Sequence, residues 1–204
     1  MSAALAGESV GREALFAAAD WRCVRLAPAD IAFLQGFFEA NPEYHLAVNG
    51  KAPRPGEARE EYESLPPAGW PFGRKWVLGY VDRDGAMVGM ADILSDLFAP
   101  GIWHVGTFIV ATRLHGSGAA AAMYGAMEAW MRANGARWSR LGVVAGNARA
   151  ERFWEKSGYR ELRRRESVSM GRRLNVIRVM AKPLAGDDWD EYFRNVGRDK
   201  PGSP

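Results

Sequence analysis

A glycine-bearing loop between a strand-like run and a helical run constrains this chain more than any other feature. Residues 113–118 read Arg-Leu-His-Gly-Ser-Gly, between the apolar run Thr107–Ala111 and the alanine-rich run Ala119–Ala133. A strand that ends in such a loop and opens a helix directs several backbone N–H groups at one place, beside the positive end of the helix dipole. Glycine permits the unusual dihedral angles and lets a phosphate approach the backbone. The loop therefore predicts an anion site.

A second signature lies downstream, where residues 147–159 read Asn-Ala-Arg-Ala-Glu-Arg-Phe-Trp-Glu-Lys-Ser-Gly-Tyr. Together the two segments resemble the GCN5-related N-acetyltransferase (GNAT) superfamily. The pyrophosphate loop of that family, Arg/Gln-x-x-Gly-x-Gly/Ala, is matched by Arg113, Gly116 and Gly118. Its second signature, Asn-x-x-Ala-x-x-Phe-Tyr/Trp-x-x-x-Gly-Phe/Tyr, is matched by Asn147, Ala150, Phe153, Trp154, Gly158 and Tyr159. Both motifs, in this order and at this separation, are specific.

Length and composition bound the class of protein. A chain of 204 residues suits one domain, which we place at residues 21–184, with an N-terminal extension (1–20) that forms a short helix and a polar tail (185–204). The last residues of the tail, Asp199–Pro204, are predicted to be disordered. A net charge of +3 is too small to indicate nucleic acid. No apolar run reaches the roughly 18 residues of a membrane helix, and the N-terminus does not resemble a secretory signal.

The single cysteine, Cys23, favours a reduced, cytoplasmic protein, because one thiol cannot form an intramolecular disulfide. Cys23 lies in a strand-like run, so we interpret it as a buried structural thiol and not as a nucleophile. A covalent acyl-enzyme is therefore not expected.

The hydrophobic pattern predicts the order β-α-α-β-β-β-α-β-α-β-β, beginning with a strand at Trp21–Leu26 and a helix at Ile31–Ala40. This order is consistent with the α/β (α+β) fold that the resemblance implies. That fold has a mixed, mostly antiparallel central sheet of about seven strands flanked by helices. The sheet splays between its fourth and fifth strands, and the thioester of the acyl donor lies in the splay.

The resemblance also implies which residues bind acetyl-CoA. Backbone N–H groups at the end of the fourth strand would face the acetyl and pantetheine groups, and the loop would hold the pyrophosphate. The residues so assigned are Phe108, Ile109, Val110, Arg113, Leu114, His115, Gly116, Ser117, Gly118, Ala119, Asn147, Arg149, Phe153 and Trp154. Arg113 could instead pair with a carboxylate, and Asn147 also reads as a helix N-cap.

Acetyl transfer to an amine needs a group that takes up the proton of the amine. His104 is the first candidate, because a neutral imidazole can accept a proton and because His104 should share a strand face with Phe108 if no bulge intervenes. The alternative is a structural histidine, with Asp92 or Asp96 as the base. Tyr44 and His45 follow the first helix, where the family often builds its acceptor site.

Many family members place a tyrosine, as the general acid, where this chain has Trp154, and indole has no titratable proton. Tyr124 is a substitute, although its spacing also fits a core residue. Phe153 is expected to be buried in the core, and Trp154 to pack over the thiol end of CoA or the adjacent sheet. The aromatic residues Trp70, Phe72, Trp76 and Trp103 could wall an acceptor pocket. Glu57, Glu60, Glu61 and Glu63 could attract a cationic amine or form a solvated helix face.

The sequence therefore predicts a cytoplasmic, acetyl-CoA-dependent N-acetyltransferase, an acyltransferase of the GNAT type without a metal. It would transfer an acetyl group directly to a small-molecule or peptide amine in a ternary complex. The alternative is a GNAT-like module that binds acyl-CoA without turnover. A dinucleotide-binding domain is disfavoured, because the chain lacks Gly-x-Gly-x-x-Gly. The amine, and whether the chain forms a homodimer, are left open.

Overall fold

The computed structural model describes residues 13–186 and 188–203, which fold around an eight-stranded sheet. The strands are β1 (Ala14–Ala18), β2 (Trp21–Arg25), β3 (Lys75–Val81), β4 (Met87–Leu94), β5 (Ile102–Val110), β6 (Trp138–Val144), β7 (Arg160–Met170) and β8 (Arg173–Pro183). The helices are α1 (Ile31–Ala40), α2 (Glu43–Asn49), α3 (Glu57–Glu63), α4 (Ala119–Ala133), α5 (Ala148–Lys156) and α6 (Trp189–Asn195). Short 3-10 turns lie at Pro28–Asp30, Thr112–Leu114 and Gly197–Asp199.

The strand order is β1-β2-β3-β4-β5-β6-β8-β7, and β5 and β6 are the parallel pair in a sheet whose other neighbours are antiparallel. The predicted mixed, mostly antiparallel sheet is therefore confirmed. A parallel pair needs a crossover, which α4 provides. Counted from Trp21, β5 and β6 are the fourth and fifth strands, between which a splay was expected.

The eighth strand is β1, where a short helix was predicted. That prediction was wrong for Ala14–Ala18, which pairs with β2, while residues 1–12 lie outside the described part of the chain. Phe16 explains the strand, because its ring packs against Trp130 and Tyr80 at centroid distances of 5.5 and 6.1 Å. The domain limits at residues 20 and 184 stay a prediction.

The predicted first helix, Ile31–Ala40, agrees fully with α1, and the predicted strand Trp21–Leu26 is one residue longer than β2. Helix α2 was missed. Asn41 and Pro42 follow directly after α1, and Pro42 occupies the N-cap position of α2. Proline favours the first turn of a helix, since the N–H group that it lacks has no partner there.

Two hydrophobic cores cover the two faces of the sheet. Helices α4 and α5 cover one face, where the largest core includes Tyr80, Met123, Met127 and Trp154. Helices α1 and α3 cover the other face, over a core that includes Leu34, Phe38 and Met90. We call these the α4 face and the α1 face.

Strands β5 and β6 pair only along Ile102–Val105 and Trp138–Leu141. Beyond Val105 they diverge, because β5 stays on β4 and β6 stays on β8. The register between β4 and β5 shifts at the same point: Asp92 pairs with Thr107 and Ile93 pairs with Val105, so that Gly106 is an extra, bulged residue. The divergence leaves a wedge between the upper halves of β5 and β6.

The C-terminal segment packs on the α1 face at the closed end of this wedge. Tyr192 and Val196 join Ile102, Trp138 and Ala181 in a third core. Asp199 is fully buried, and its carboxylate accepts hydrogen bonds from Arg140 of β6 at 2.6 and 2.9 Å. The predicted disorder from Asp199 onwards was therefore wrong at that residue. The sequence does not show that Asp199 forms an ion pair with the buried Arg140.

The carboxylate of Asp199 stays ionised. Burial alone would raise the pKa of Asp199, but the bonds from Arg140 and from the Tyr192 hydroxyl (2.8 Å) outweigh it and hold the pKa below its ordinary value. Because the pKa of Asp199 is depressed in the folded state, its ionised carboxylate stabilises the fold at neutral pH. That stabilisation is lost as the pH falls through the folded-state pKa.

We predict that Asp199→Ala lowers the free energy of unfolding by about 3–5 kcal/mol, because it leaves the Arg140 guanidinium buried without its charged partner. Urea unfolding at pH 7 measures the change. Lys200→Ala is the control, since Lys200 is the exposed neighbour, and it should cost less than about 0.5 kcal/mol. Equal stability of the two variants would contradict the prediction.

Candidate active site

The loop after β5 is held open by its own turn structure. Gly116 and Gly118 have φ angles of 82° and 88°, and no other part of the protein lies within 4 Å of where a side chain would begin at either residue. Below them, Leu114 packs against the cores of both faces and Ala119 is buried. The loop is thus anchored at both ends, while its glycines face solvent.

Several backbone N–H groups of this loop have no acceptor among the described residues. The turn uses the N–H groups of His115 and Ser117, and the Ser117 hydroxyl accepts from the N–H of Ala119 at 3.3 Å. The helix proper begins with the bond from Ala122 to Gly118. Gly116, Gly118, Ala120 and Ala121 keep free donors, as the first turn of a helix does. This is the donor set that a phosphate requires.

A positive charge is fixed beside these donors. The His115 Nε2 bonds the carbonyl of Val110 at 3.0 Å, and the His115 Nδ1 lies 2.6 Å from the Arg149 guanidinium. A carbonyl can only accept, so Nε2 carries the ring proton and Nδ1 accepts from Arg149. His115 therefore positions Arg149, at the start of α5, over the loop.

Arg113 and Asn147 have structural partners. The Arg113 guanidinium forms an ion pair with Asp82 at 3.3 Å, in the β3–β4 turn, which favours the carboxylate alternative. Asn147 accepts a hydrogen bond from the Ala150 N–H at 3.3 Å, so the predicted N-cap of α5 is confirmed.

Along the β5 edge of the wedge, the backbone groups of successive residues point alternately towards β4 and into the wedge. The Ala111 N–H bonds the Val88 carbonyl on β4, and in an antiparallel ladder bonded residues alternate with residues whose groups point away. Ile109 therefore bonds towards β4, whereas Phe108 and Val110 direct their N–H groups into the wedge. Across from them, the same alternation on β6 turns the backbone of Gly142 into the wedge.

An aromatic cluster lines the α4 side of this wedge. Phe108 stacks on Phe153 at 5.9 Å, and Tyr124 and Trp154 meet edge to face at 5.2 Å. Trp154 is buried and Phe153 only half-buried, so the expectation that Phe153 is the core residue was wrong. On α5, residue 154 and not residue 153 faces the centre of the core.

The Tyr124 hydroxyl is the first group of a buried hydrogen-bond chain. It lies 2.9 Å from the Tyr159 hydroxyl, which in turn bonds the Ser139 hydroxyl. Burial and the neighbouring Tyr159 raise the pKa of Tyr124 well above its ordinary value. This environment fits a core residue, and a catalytic role for Tyr124 stays a prediction.

His104 lies on the opposite face from Phe108, because the bulge at Gly106 reverses the alternation between them. The expectation that the two side chains share a face was therefore wrong. The His104 Nδ1 lies 3.4 Å from the Arg140 guanidinium. Burial and this positive charge lower the pKa of His104 to about 3, so the imidazole is neutral at pH 7 and resists protonation.

Two cavities on the α1 face meet at Gly106 and Ser64. The inner cavity, of about 190 Å³, is lined by Asp92, His104, Trp70 and the segment Ser64–Pro67. The outer cavity, of about 370 Å³, is lined by Tyr44, His45, Val48, Asn49, Glu57, Glu60, Glu61, Thr107, Ser169 and Met170. We call the two together the acidic cleft. Glu57, Glu60 and Glu61 line it, and because the Glu60 side chain is also 60% exposed, the two alternatives stated for the acidic helix are not exclusive.

Asp92 lies beside Gly106, since a side chain at Gly106 would begin 3.5 Å from the Asp92 Oδ2. That oxygen is 3.2 Å from the Lys75 ammonium, whereas the Asp92 Oδ1 is buried and has no partner. Burial and the nearby Glu61 raise the pKa of Asp92 to about 7, against the opposing effect of Lys75. Asp92 is therefore a carboxyl group able to exchange a proton near neutral pH.

The predicted aromatic wall of the acceptor pocket is only partly present. Trp70 lines the inner cavity, but Phe72 lines neither cavity. Trp76 and Trp103 pack against Trp130 of α4 at 5.1 and 5.6 Å, on the opposite face of the sheet. For these two tryptophans the expectation was wrong, because both belong to the core under α4.

Comparison with known proteins decides the family. The model of the acetyltransferase (GNAT) family matches residues 36–159, which is more than half of the chain. The chain belongs to the GNAT acetyltransferase family. A search of curated proteins found no significant match.

Solved GNAT structures share the fold at low sequence identity. A GCN5-related N-acetyltransferase from Kribbella flavida is 20% identical, with a TM-score of 0.59 over 82% of this chain and 99% of its own. The ribosomal-protein-S18-alanine N-acetyltransferase of Escherichia coli is 14% identical (TM-score 0.59; 82% and 96% covered). Spermidine N-acetyltransferase from Vibrio cholerae, in complex with CoA and spermine, is 14% identical (TM-score 0.63; 81% and 96% covered).

Two absences apply to the described residues of this GNAT protein. Residues 13–186 and 188–203 contain no group of three or more His, Cys, Asp or Glu side chains arranged to hold a metal ion. None of the helices in the same part of the chain has the length and apolar character needed to cross a bilayer.

The expectation that the loop binds CoA can be tested directly. Gly118→Val should lower the affinity for CoA at least 100-fold, because the added methyl groups occupy the space in front of the free N–H donors. Isothermal titration calorimetry measures the affinity. Gly135→Val is the matched control: Gly135 ends the same helix with a φ of 95° and is equally unobstructed, so it carries the same backbone strain away from the loop. Equal losses in both variants would contradict the prediction.

Proposed function

We propose that this protein is an acetyl-CoA-dependent N-acetyltransferase that transfers an acetyl group to a primary amine in a ternary complex. One observation carries the proposal. The donor-rich loop lies at the end of β5, on one side of the wedge between β5 and β6. The acidic cleft lies on the other side and meets the wedge at Gly106.

The residues on the loop side fit the acyl donor. Acetyl-CoA supplies the acetyl group as a thioester, and its pyrophosphate suits the free N–H groups of Gly116, Gly118, Ala120 and Ala121 beside Arg149. The open N–H groups of Phe108 and Val110 suit the carbonyl and amide groups of the donor. A fixed N–H group aimed at a carbonyl oxygen stabilises the negative charge that develops there during acyl transfer.

Asp92 is the base that the geometry favours. An amine that enters the cleft as an ammonium ion must lose a proton before it can attack, and a base with a pKa near the working pH is best suited to take it. Asp92 has a pKa of about 7, a free Oδ1 and a position beside Gly106. His104, with a pKa of about 3, is a weak base, so we assign it to hold the neighbouring backbone and Arg140 in place.

Direct transfer needs no protein nucleophile, and the described residues offer no thiol for one. Cys23 is fully buried on β2, and burial raises the pKa of its thiol far above the ordinary value. The interpretation of Cys23 as a buried structural residue is confirmed.

The test of the proposal is release of the CoA thiol in the presence of a panel of amines, with mass spectrometry of the product. We expect thiol release that depends on the amine and an acetylated nitrogen in the product. Tight binding of CoA without transfer to any amine would contradict the proposal and establish the binding-module alternative.

We predict that Asp92→Asn lowers kcat at least 100-fold and leaves the affinity for CoA unchanged. The variant should not lose stability at pH 7. The folded-state pKa of Asp92 lies above its ordinary value of 3.8, so ionising it costs folding free energy as the pH rises from there to about 7, and asparagine cannot ionise. Kinetics and thermal unfolding measure the two effects. His104→Ala is the opposing variant: if it abolishes turnover and Asp92→Asn does not, His104 is the base.

The pH profile follows from the same environment. Asp92 faces Lys75 of β3, Glu61 of α3, His104 of β5 and Tyr44 of α2. Because the base must be deprotonated, kcat/KM should rise with pH through about 7 and then level off. A flat profile from about pH 5.5 to about 8.5 would exclude Asp92 as the base.

A further inference from the structure

The outer half of the acidic cleft has more acceptors than the protein itself satisfies. Four carboxyl groups, of Glu57, Glu60, Glu61 and Asp92, face two cations, Arg54 and Lys75. Arg54 bonds Glu57 and Glu60 from the solvent side, where half of its side chain is exposed. Negative charge therefore remains in the interior of the cleft.

Unpartnered polar atoms lie in the same place. The His45 side chain is 4% exposed and lines the outer cavity, yet its Nδ1 is buried without a hydrogen-bond partner. The Glu61 Oε1 and the Asp92 Oδ1 are buried and unpartnered in the same way. A buried polar atom without a partner costs free energy, so a ligand that supplies donors is bound the more strongly.

His45 is suited to accept a hydrogen bond from a cation. Burial lowers the pKa of His45 and the charge of Glu57 raises it, with burial dominant, so the ring is neutral. A neutral imidazole that carries its proton on Nε2 offers Nδ1 as an acceptor. An ammonium ion brings three donors and one positive charge. It matches the neutral acceptor of His45 and the adjacent carboxylates of α3.

The cleft is closed on the side away from the loop, which limits the size of the acceptor. The β7–β8 hairpin is bonded to the end of α2. In the turn, the Arg172 N–H donates to the Asn49 carbonyl at 3.1 Å, and on β8 the Asn175 side-chain amide donates to the Val48 carbonyl at 3.0 Å. A side chain at Gly171 would begin 2.8 Å from Asn49, so the two segments touch. Ser169 and Met170 of this hairpin wall the outer cavity. Its 370 Å³ is the size of a small-molecule site.

We propose that the acceptor is a small linear diamine or polyamine: one amine reaches Asp92 at Gly106, and a second, protonated amine occupies the outer cavity between His45 and the carboxylates of α3. This inference rests on the proposed function and specifies the acceptor for it. Alkyl amines, like the lysine side chain, are protonated at pH 7, so the second amine of the acceptor is a cation under working conditions.

The experiment compares acceptors of matched length with the full chain and acetyl-CoA: propylamine, 1,3-diaminopropane, 1,4-diaminobutane and spermidine, with an alanine-rich peptide as the bulky amine. We expect kcat/KM for the best diamine to exceed that for the monoamine at least 50-fold. In His45→Phe, which keeps a ring against Phe38, the ratio of diamine to monoamine should fall at least 10-fold, mainly through KM for the diamine. Glu57→Gln should lower the same ratio, and this variant tests the cation site if His45→Phe does not fold.

Glu63→Gln is the matched control, because Glu63 lies on the same helix but pairs with Arg59 at the surface and lines neither cavity. It should leave the ratio unchanged. Equal kcat/KM for monoamine and diamine, or a preference for the peptide, would overturn the inference and leave the proposed acetyltransferase intact. Calorimetric binding of the diamine in the presence of CoA, without any acetylation, would instead support the cation site and overturn the proposed function.

Discussion

The loss of pairing between β5 and β6 above Val105 is the constraint on which the rest of this structure depends. Two paired strands satisfy each other's backbone groups, so opening them leaves donors and acceptors without partners. The cost is confined to two facing edges, because β5 keeps its ladder with β4 and β6 keeps its ladder with β8. The open edges then supply the N–H groups of Phe108 and Val110 that the proposed function uses.

The wedge requires a fixed register between β5 and β6 at its closed end. There the carbonyl of Gly101 accepts from the N–H groups of Arg137 and Trp138, at 2.8 and 3.0 Å, which fixes where the parallel pair begins. Below the sheet, the buried pair of Arg140 and Asp199 attaches the C-terminal segment to β6. Because a bidentate pair of this kind tolerates little displacement, it also keeps His104 in place against the guanidinium.

How far the sequence predicts this molecule depends on how local the determining interaction is. Strand–loop–helix order, the N-cap at Asn147 and the glycines of the loop are read from short segments, because period, capping and positive φ are local properties. The burial of Asp199 is not local, since its partner Arg140 lies 59 positions away. The extra strand β1 likewise forms only because Phe16 finds Trp130 on α4.

The bulge at Gly106 shows how one missed residue changes the reading of a site. Alternation along a regular strand places His104 with Phe108, and a single inserted residue moves it to the other face. Nothing in the residues Val105-Gly106-Thr107 requires the insertion, although a glycine inside a strand is a recognised sign of a bulge. Asp92, weighed as an alternative base, is adjacent to the bulge because β4 carries it to the same point.

The two sides of the wedge differ in charge, and this difference orders the reaction in the proposed function. Backbone donors and Arg149 lie on the side of the loop, where an anionic donor molecule is favoured. Carboxyl groups line the acidic cleft on the other side, where a cationic amine is favoured. Each substrate is therefore repelled from the site of the other, and only an amine that has given its proton to the cleft is uncharged when it reaches the wedge. The raised pKa of Asp92 and the unmet acceptors around it are two results of one arrangement: burial of carboxyl groups with fewer cations than they require.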